Sequence, residues 1–446
     1  MSARTIALGR PFGLGKAKKA QRKTRSRAAA HSTEYNLLLT ATLCLLALGA
    51  VMVFSASSTT QVLGADGNLA NSAYYLKRTL MIGAFGLLVM HLTARHGLVP
   101  IRKLTPLLLA GSFFLLLAVL LVGTSANGAT RWLGPGSLQF QPSELAKLAL
   151  ILYGADMLAR EPKRVRDLSG LAPLLLVVGV ACLLIVAEPD LGTTMVIAFS
   201  MAATLLAAGA RPLDLAKIAA CLAGLALLLT VIEPYRMARL TGFLNPGAEA
   251  AGAGFQAAQA KIALGSGGIF GVGIGHGVQK AFYLPEAHTD MISAVIGEEL
   301  GFVGIVGVVG LFSLLGYAGL RVAQQARDRY SKLLVAGLTS MILVQATINL
   351  FAVMGLAPLT GVPLPFVSYG NSSLLITLLA VGLILGVARG GTAAAGKLRL
   401  VEGGRPTGAR KRSRSSRAKS AQSRGGGGGN RRSRRAGDGR RRRASG

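Results

Sequence analysis

Apolar positions along this chain gather into ten long runs separated by shorter polar segments. They fall at residues 37–54, 78–94, 105–122, 143–159, 171–187, 191–209, 213–232, 291–320, 332–357 and 371–389. Most are roughly 17–25 residues long, the length at which a helix crosses a bilayer. The pattern predicts an all-α integral membrane protein of about ten transmembrane helices, with one long polar loop, 233–290, between spans 7 and 8. The first run follows a basic segment, but it is longer than the apolar core of a signal peptide and further spans follow it. It reads as an uncleaved anchor.

Charge sharpens this picture. Hydrophobic residues are 51% of the chain, yet the net charge is +31. The two facts are reconciled by segregation, since residues 1–35 and 389–446 together hold 28 Lys and Arg against 3 acids. The chain therefore divides into a basic N-terminal tail (1–35), a polytopic body (36–389) and an Arg- and Gly-rich tail (390–446). The composition of that last segment cannot bury a core and is that of a disordered chain. Its charge suits anionic inner-leaflet lipid or an acidic cytoskeletal partner rather than nucleic acid.

Basic residues favour cytoplasmic loops. Placing the N-terminus inside puts Arg95, Arg102 and Lys103, then Arg160, Lys163, Arg164 and Arg166, then Arg211, and finally Arg321, Arg327, Arg329 and Lys332 in inner loops. The short outer loops keep little beyond Lys77 and Arg131. An even number of spans returns the basic C-terminal tail to the cytoplasm, so both termini are expected inside. Cys44, Cys182 and Cys221 lie within spans without paired spacing, and the five histidines form no ligand pattern.

With this orientation the unusual polar motifs collect on the outer face: Arg131-Trp132, Gln141-Pro142-Ser143-Glu144, Glu188-Pro189-Asp190, the 233–290 loop and Pro363 to Gly370. Asp290 closes the long loop immediately before an apolar run. Thr289 or Asp290 could cap the following helix, or the carboxylate could do chemistry where water meets lipid; both readings stand at this point. Glu298 lies eight residues on, roughly 12 Å deeper at about 1.5 Å per residue, and acids inside a span usually face a cavity or a partner. Glu299 points elsewhere. Pro142 and Glu144 suit a helix start, and Lys147 can pair with Glu144 at i,i+3, a pair expected to line an outward cavity. The glycine-rich segment 265–277 contains neither nucleotide-binding glycine motif, so it is read as tight turns and close packing, and no nucleotide is expected. Arg236, Arg239, Lys261 and Lys280 run against the charge rule; with Arg131 and Lys147 they form a candidate diphosphate-binding set.

The residues now in view resemble a known family. Asn349, Gly355-Leu356-Ala357-Pro358, Gly361 and Phe366-Val367-Ser368-Tyr369-Gly370-Asn371-Ser372-Ser373 follow, in order, the signature of the SEDS proteins (shape, elongation, division and sporulation), with Asn371 where a second glycine is usual. The likeness runs from about residue 37 to 389. Glu188 to Thr194, Gln279 to Pro285 and Pro285 to Asp290 follow the division type, which the sporulation type closely shares. Gly361-Val362-Pro363-Leu364-Pro365 is common to the elongation type.

The resemblance implies an inverting peptidoglycan glycosyltransferase that polymerises lipid II at the outer face of the bacterial cytoplasmic membrane, at the division septum. The growing glycan on undecaprenyl diphosphate would be donor and lipid II acceptor. Asp290 would be the catalytic base, or a ligand of a divalent cation (Mg or Mn). Arg131, Lys147, Arg239, Lys261 and Lys280 would contact substrate, with Glu144 orienting Lys147, and Glu298, Ser368 and Tyr369 completing the binding set. A class B penicillin-binding protein and other divisome proteins are the implied partners. The competing readings are a lipid II flippase or an elongation-type polymerase, and recruiting the transpeptidase as a scaffold would be an additional role. A transporter needs a midplane site open to both faces, whereas these motifs gather on one.

Overall fold

The computed structural model describes residues 14–58, 72–126, 129–134, 139–232, 234–244, 254–281 and 283–403. Twelve helices and one small hairpin account for most of them. The helices are α1 (Leu14–Ser57), α2 (Ser72–His96), α3 (Leu98–Val122), α4 (Pro142–Arg160), α5 (Leu168–Ala187), α6 (Leu191–Ala208), α7 (Pro212–Ile232), α8 (Pro234–Leu244), α9 (Phe255–Ser266), α10 (Ile292–Gln325), α11 (Arg329–Val353) and α12 (Asn371–Gly403). Between α3 and α4, β1 (Thr124–Ala126) pairs antiparallel with β2 (Ala129–Trp132), and a Leu133–Phe140 bridge follows. The chain divides into two units at residue 396; of the second, only the helical stretch 397–403 is described. The rest of the basic tail, 404–446, lies outside the described residues.

Every expected span falls on a helix. Eight of the helices are long and apolar enough to cross a membrane, and the protein is a multi-pass, mostly helical membrane protein. The other two expected spans fall on α4 and α7, helices of 19 and 21 residues. Helix α4 carries Glu144, Lys147, Asp156 and Arg160, a charge load that lipid would not tolerate. It is instead wrapped by protein: α3, α6 and α11 pack around it, and 13 of its residues are buried, Glu144 and Lys147 among them. The core continues through α1 against α10, α10 against α11 and α11 against α6.

The 233–290 segment departs from the expected polar loop. It contains α8 and α9, and between α9 and α10 it exposes Ile269, Phe270, Val272, Ile274 and Val278. The reason lies in α10, whose helical geometry breaks at Gly301 (φ 68°, ψ −162°). Such a break orphans the carbonyls just before it and the amides just after it. The loop supplies the missing partners: Val272 N donates to Glu298 O (3.0 Å), Gly273 N to Glu299 O (3.1 Å), Phe302 N to Gly268 O (2.9 Å) and Val303 N to Ile269 O (3.1 Å). A side chain at Gly271 or Gly301 would collide with this backbone. The glycines thus serve close packing, as their sequence suggested.

Candidate functional site

Four helices begin next to one another: α4 at Pro142, α6 at Leu191, α10 at Ile292 and α12 at Asn371. Hydrogen bonds tie these starts together. Gln141 N donates to Ser372 Oγ (3.0 Å), Gln141 Nε2 to Asp190 Oδ2 (3.1 Å), and Tyr369 N to the His288 carbonyl (2.9 Å). Helix N-termini carry partial positive charge and unsatisfied amides, so their convergence favours an anion. Among the described residues, the non-glycine positions with positive φ are Pro189 (30°), Glu286 (56°) and Phe366 (65°). One precedes each of α6, α10 and α12, and such strain concentrates at functional sites.

Asp290 sits half-buried among them. It is not the cap of α10: Met291 holds that position and no side-chain capping bond forms. Its backbone is pinned instead, because Asn349 Nδ2 donates to the Asp290 carbonyl (2.7 Å) and to the Val362 carbonyl (2.8 Å). Thr289 Oγ1 bridges two carboxylates, reaching Glu286 Oε2 at 2.8 Å and Asp290 Oδ1 at 3.2 Å. The other Asp290 oxygen borders Gly361: a β-carbon there would lie 3.7 Å from Asp290 Oδ2 and 4.0 Å from Arg131 Nη1. The carboxylate and the guanidinium therefore face one small space, kept open by a residue with no side chain and a φ of 69°. Arg131 is aimed there by the 188–189 turn, with Nε on the Glu188 carbonyl (3.2 Å) and Nη2 on the Pro189 carbonyl.

The other expected site residues fare differently. Glu144 and Lys147 do pair, at 2.8 Å. They do not line a cavity, however: each side chain is 2% exposed, and Lys147 also donates to Gln345 Oε1 at 2.8 Å. Gln345 passes the contact on through Nε2 to the Pro363 carbonyl (3.0 Å) and Ser373 Oγ (3.1 Å). The pair thus braces the segment before α12. Lys280 and Glu298 are likewise buried and bonded within the protein. Lys280 is buried against Glu299 Oε1 (2.6 Å) and Ser55 Oγ (2.9 Å). Glu298 accepts from the amides of Val278 (2.7 Å) and Gln279 (3.1 Å). Their sequence shows charge and not what it faces; in the structure both clamp the loop to α10. Ser368 is buried and accepts from Leu364 N (2.7 Å), closing its own turn.

Lys261 is exposed on α9, its stem lying against Gly355 (φ 71°) in the loop that leads to Gly361. Arg239 is on α8, and its side chain, like that of Arg236, lies outside the described residues. Tyr369 packs in an aromatic group with Tyr75 (5.1 Å) and His288 (5.6 Å), and Arg78 lies 5.9 Å over its ring. Burial holds the His288 imidazole below its ordinary range, against the pull of Glu286, and pushes the Tyr369 phenol up. Asn371 starts α12, and its amide oxygen, turned towards Arg78, accepts from that guanidinium at 2.6 and 3.0 Å. The family's glycine is therefore replaced here by a side chain with a bonding role.

Sequence reading missed Gln345 and Arg78, and it named Asp190 only as part of the Glu188-Pro189-Asp190 motif. Gln345 had a signal, since it stands one turn from Asn349 in an otherwise apolar run. Asp190 caps α6 through Thr193 N (3.0 Å) while holding Gln141 and Ser143 of the α4 start, a link between distant segments that no local pattern reveals.

Comparison with known proteins places these features. Residues 35–392 match the model of a family described as cell cycle protein, FtsW, RodA and SpoVE. Stage V sporulation protein E of Bacillus subtilis is 40% identical over 79% of this chain and 96% of that protein. A probable peptidoglycan glycosyltransferase FtsW from Thioalkalivibrio sulfidiphilus is 44% identical over 82% and 92%. Among solved structures, the rod shape determining protein RodA of Thermus thermophilus aligns with a TM-score of 0.57 at 32% identity, over 79% of this chain and 95% of that one. A chain from a peptidoglycan synthase complex that coordinates polymerization and crosslinking aligns at 0.64 and 30%, over 79% and 96%.

Proposed function

This chain belongs to the FtsW, RodA and SpoVE family and is a peptidoglycan glycosyltransferase, and from that premise we propose that it polymerises lipid II at the outer face of the cytoplasmic membrane during septal wall synthesis. The observation that carries the reading is Asp290: a carboxylate relieved of helix capping, pinned through its backbone, and set with Arg131 over the open face of Gly361.

The reaction asks for a base at one hydroxyl and positive charge at one leaving group. Asp290 takes the proton from the 4-hydroxyl of the GlcNAc on the incoming lipid II. That oxygen bonds to the anomeric carbon of the MurNAc that ends the growing glycan, and the bond from this carbon to undecaprenyl diphosphate breaks. Arg131 receives the diphosphate, with Lys261 and Arg239 as further contacts and four converging helix N-termini adding their field. Glu144, Lys147 and Gln345 act at one remove, holding the segment from Pro363 to Ser373. Ten spans with both termini in the cytoplasm are part of the proposal, as this orientation puts Asp290 outside.

The alternative role for Asp290 is as a ligand of a divalent cation instead of the base. Glu286 and Asp290 share the Thr289 hydroxyl, and two hard carboxylates suit a magnesium that substrate phosphates complete. Among the described residues no three His, Cys, Asp or Glu side chains gather as a ready-made site, so such a cation would need substrate oxygens to complete its shell. Bound there, it would supply charge neutralisation at the diphosphate. A class B penicillin-binding protein is the proposed partner, supported by the likeness to a chain of a synthase complex, with other divisome proteins around it.

Purified protein supplied with lipid II, with and without that transpeptidase, tests the reading: glycan polymer should form, and Asp290→Asn should not form it. An unchanged rate in Asp290→Asn would sink the assignment.

A further inference from the structure

Glu188 ends α5 fully buried, and neither of its carboxyl oxygens has a hydrogen-bond partner. Its neighbour in the same turn is treated in the opposite way. Asp190 receives Thr193 N, Gln141 Nε2 and Ser143 Oγ. Two acids one residue apart are thus sorted by environment, one supplied with donors and one deprived of them. The nearby Arg131 does not hydrogen-bond to the Glu188 carboxyl. It spends Nε and Nη2 on the carbonyls of Glu188 and Pro189, and its third nitrogen faces the space over Gly361 beside Asp290.

We propose that Glu188 is a positioning residue that works in its neutral, protonated form: an uncharged carboxyl behind Arg131 leaves that guanidinium on its two carbonyls with its whole charge directed at the substrate phosphate. An ionised carboxylate offers about four acceptor sites, and no donor reaches either oxygen in this structure. It would also sit beside Asp190 and compete with the carbonyls for Arg131. The charged groups that face Glu188 are Asp190 in its own turn and Arg131 from the hairpin. Burial first, and then Asp190, push its carboxyl up to about 8 against the opposing pull of Arg131. The neutral form therefore prevails at neutral pH and is lost as the pH rises through about 8. Above that, the new negative charge cancels part of the Arg131 field and draws the guanidinium off its carbonyls.

The inference rests on the reading of Arg131 as a phosphate contact, and its test is built to fail separately from that reading. Full-length protein in detergent is assayed for lipid II polymerisation from below to well above pH 8 as wild type, Glu188→Ala and Glu188→Gln. Wild type should lose activity above pH 8. Glu188→Ala should lose about tenfold at neutral pH, the scale of one loosened contact to a charged group. Glu188→Gln, a permanent mimic of the neutral acid, should restore most of that loss and show no alkaline decline. A glutamine variant that declines like wild type, or that is no better than alanine, overturns the proposal. Infrared spectroscopy gives a second readout that needs neither substrate nor a folded alanine variant. The carbonyl stretch of a protonated carboxylic acid should be present at neutral pH in wild type and missing in Glu188→Gln, and no such difference would also overturn it. If wild type itself makes no polymer, the proposed function fails while the infrared result still decides the state of Glu188.

Discussion

Two charged clusters lie at the two ends of the same stretch of chain, around the start and the break of α10. At the break, Lys280, Glu299 and Ser55 form a closed set and Glu298 holds two loop amides, so each of these groups is buried and bonded within the protein. At the start, Asp290 and Arg131 are anchored through backbone contacts, while their reactive faces border the space over Gly361. Both clusters are dense in charge and both adjoin the membrane region. What separates them is where the charged groups turn: inward to protein partners at the break, and towards the space over Gly361 at the start. A charge enclosed by protein partners braces the fold, whereas one that borders a space has a side a ligand can reach.

The comparison can be broken most directly at Asp290. Asp290→Asn should lower glycan polymerisation by about 10²–10⁴, the usual worth of a catalytic proton transfer, with no loss of folded protein on size exclusion. Unfolding instead of inactivation would move Asp290 into the structural class. Next in size, Glu299→Ala should destabilise by about 3–5 kcal/mol, because it strands the Lys280 ammonium in a buried site; thermal unfolding in detergent measures this. Joint replacement, Lys280→Met with Glu299→Leu, should recover much of that loss, since the cost of desolvating the ions goes with them. A Glu299→Ala variant as stable as wild type would end the clamp reading.

Gly361→Ala sharpens the contrast, since it adds a methyl group between Asp290 and Arg131 where φ is 69°. Left-handed backbone costs a non-glycine residue about 1–2 kcal/mol, so the fold should survive. Turnover should fall about tenfold, as small misplacements of reacting groups do; turnover near wild type would show that this space is not where chemistry occurs. The smallest effect is expected of Glu298→Gln, which keeps an acceptor for the Val278 and Gln279 amides and should cost about 1 kcal/mol in stability. A large loss of activity without loss of stability there would restore Glu298 to the substrate-binding set.

Much of this architecture was legible in the chain itself. Runs of roughly 17–25 apolar residues announce helices, because in lipid a helix satisfies every backbone bond within its own segment. The i,i+3 spacing of Glu144 and Lys147 announced their pairing, since the helix repeat places them together. Asp290 was singled out by its position between a polar loop and an apolar run. The sequence carried no means of choosing between helix capping and chemistry, nor of seeing that Lys147, Lys280 and Glu298 turn inward. Those outcomes depend on partners far along the chain: Gln345 for Lys147, Ser55 and Glu299 for Lys280, and the loop amides for Glu298.

Hydrophobic periodicity and charge placement are local properties, and they determined the membrane class and the helices of this protein before any contact was known; the ordered motifs from Asn349 to Ser373 carried the resemblance to its family. Which charges turn inward to brace the fold and which border the space over Gly361 was decided by tertiary structure. A buried ionic group takes its role from whatever fills its remaining hydrogen-bonding sites, and folding brings those partners from elsewhere in the chain.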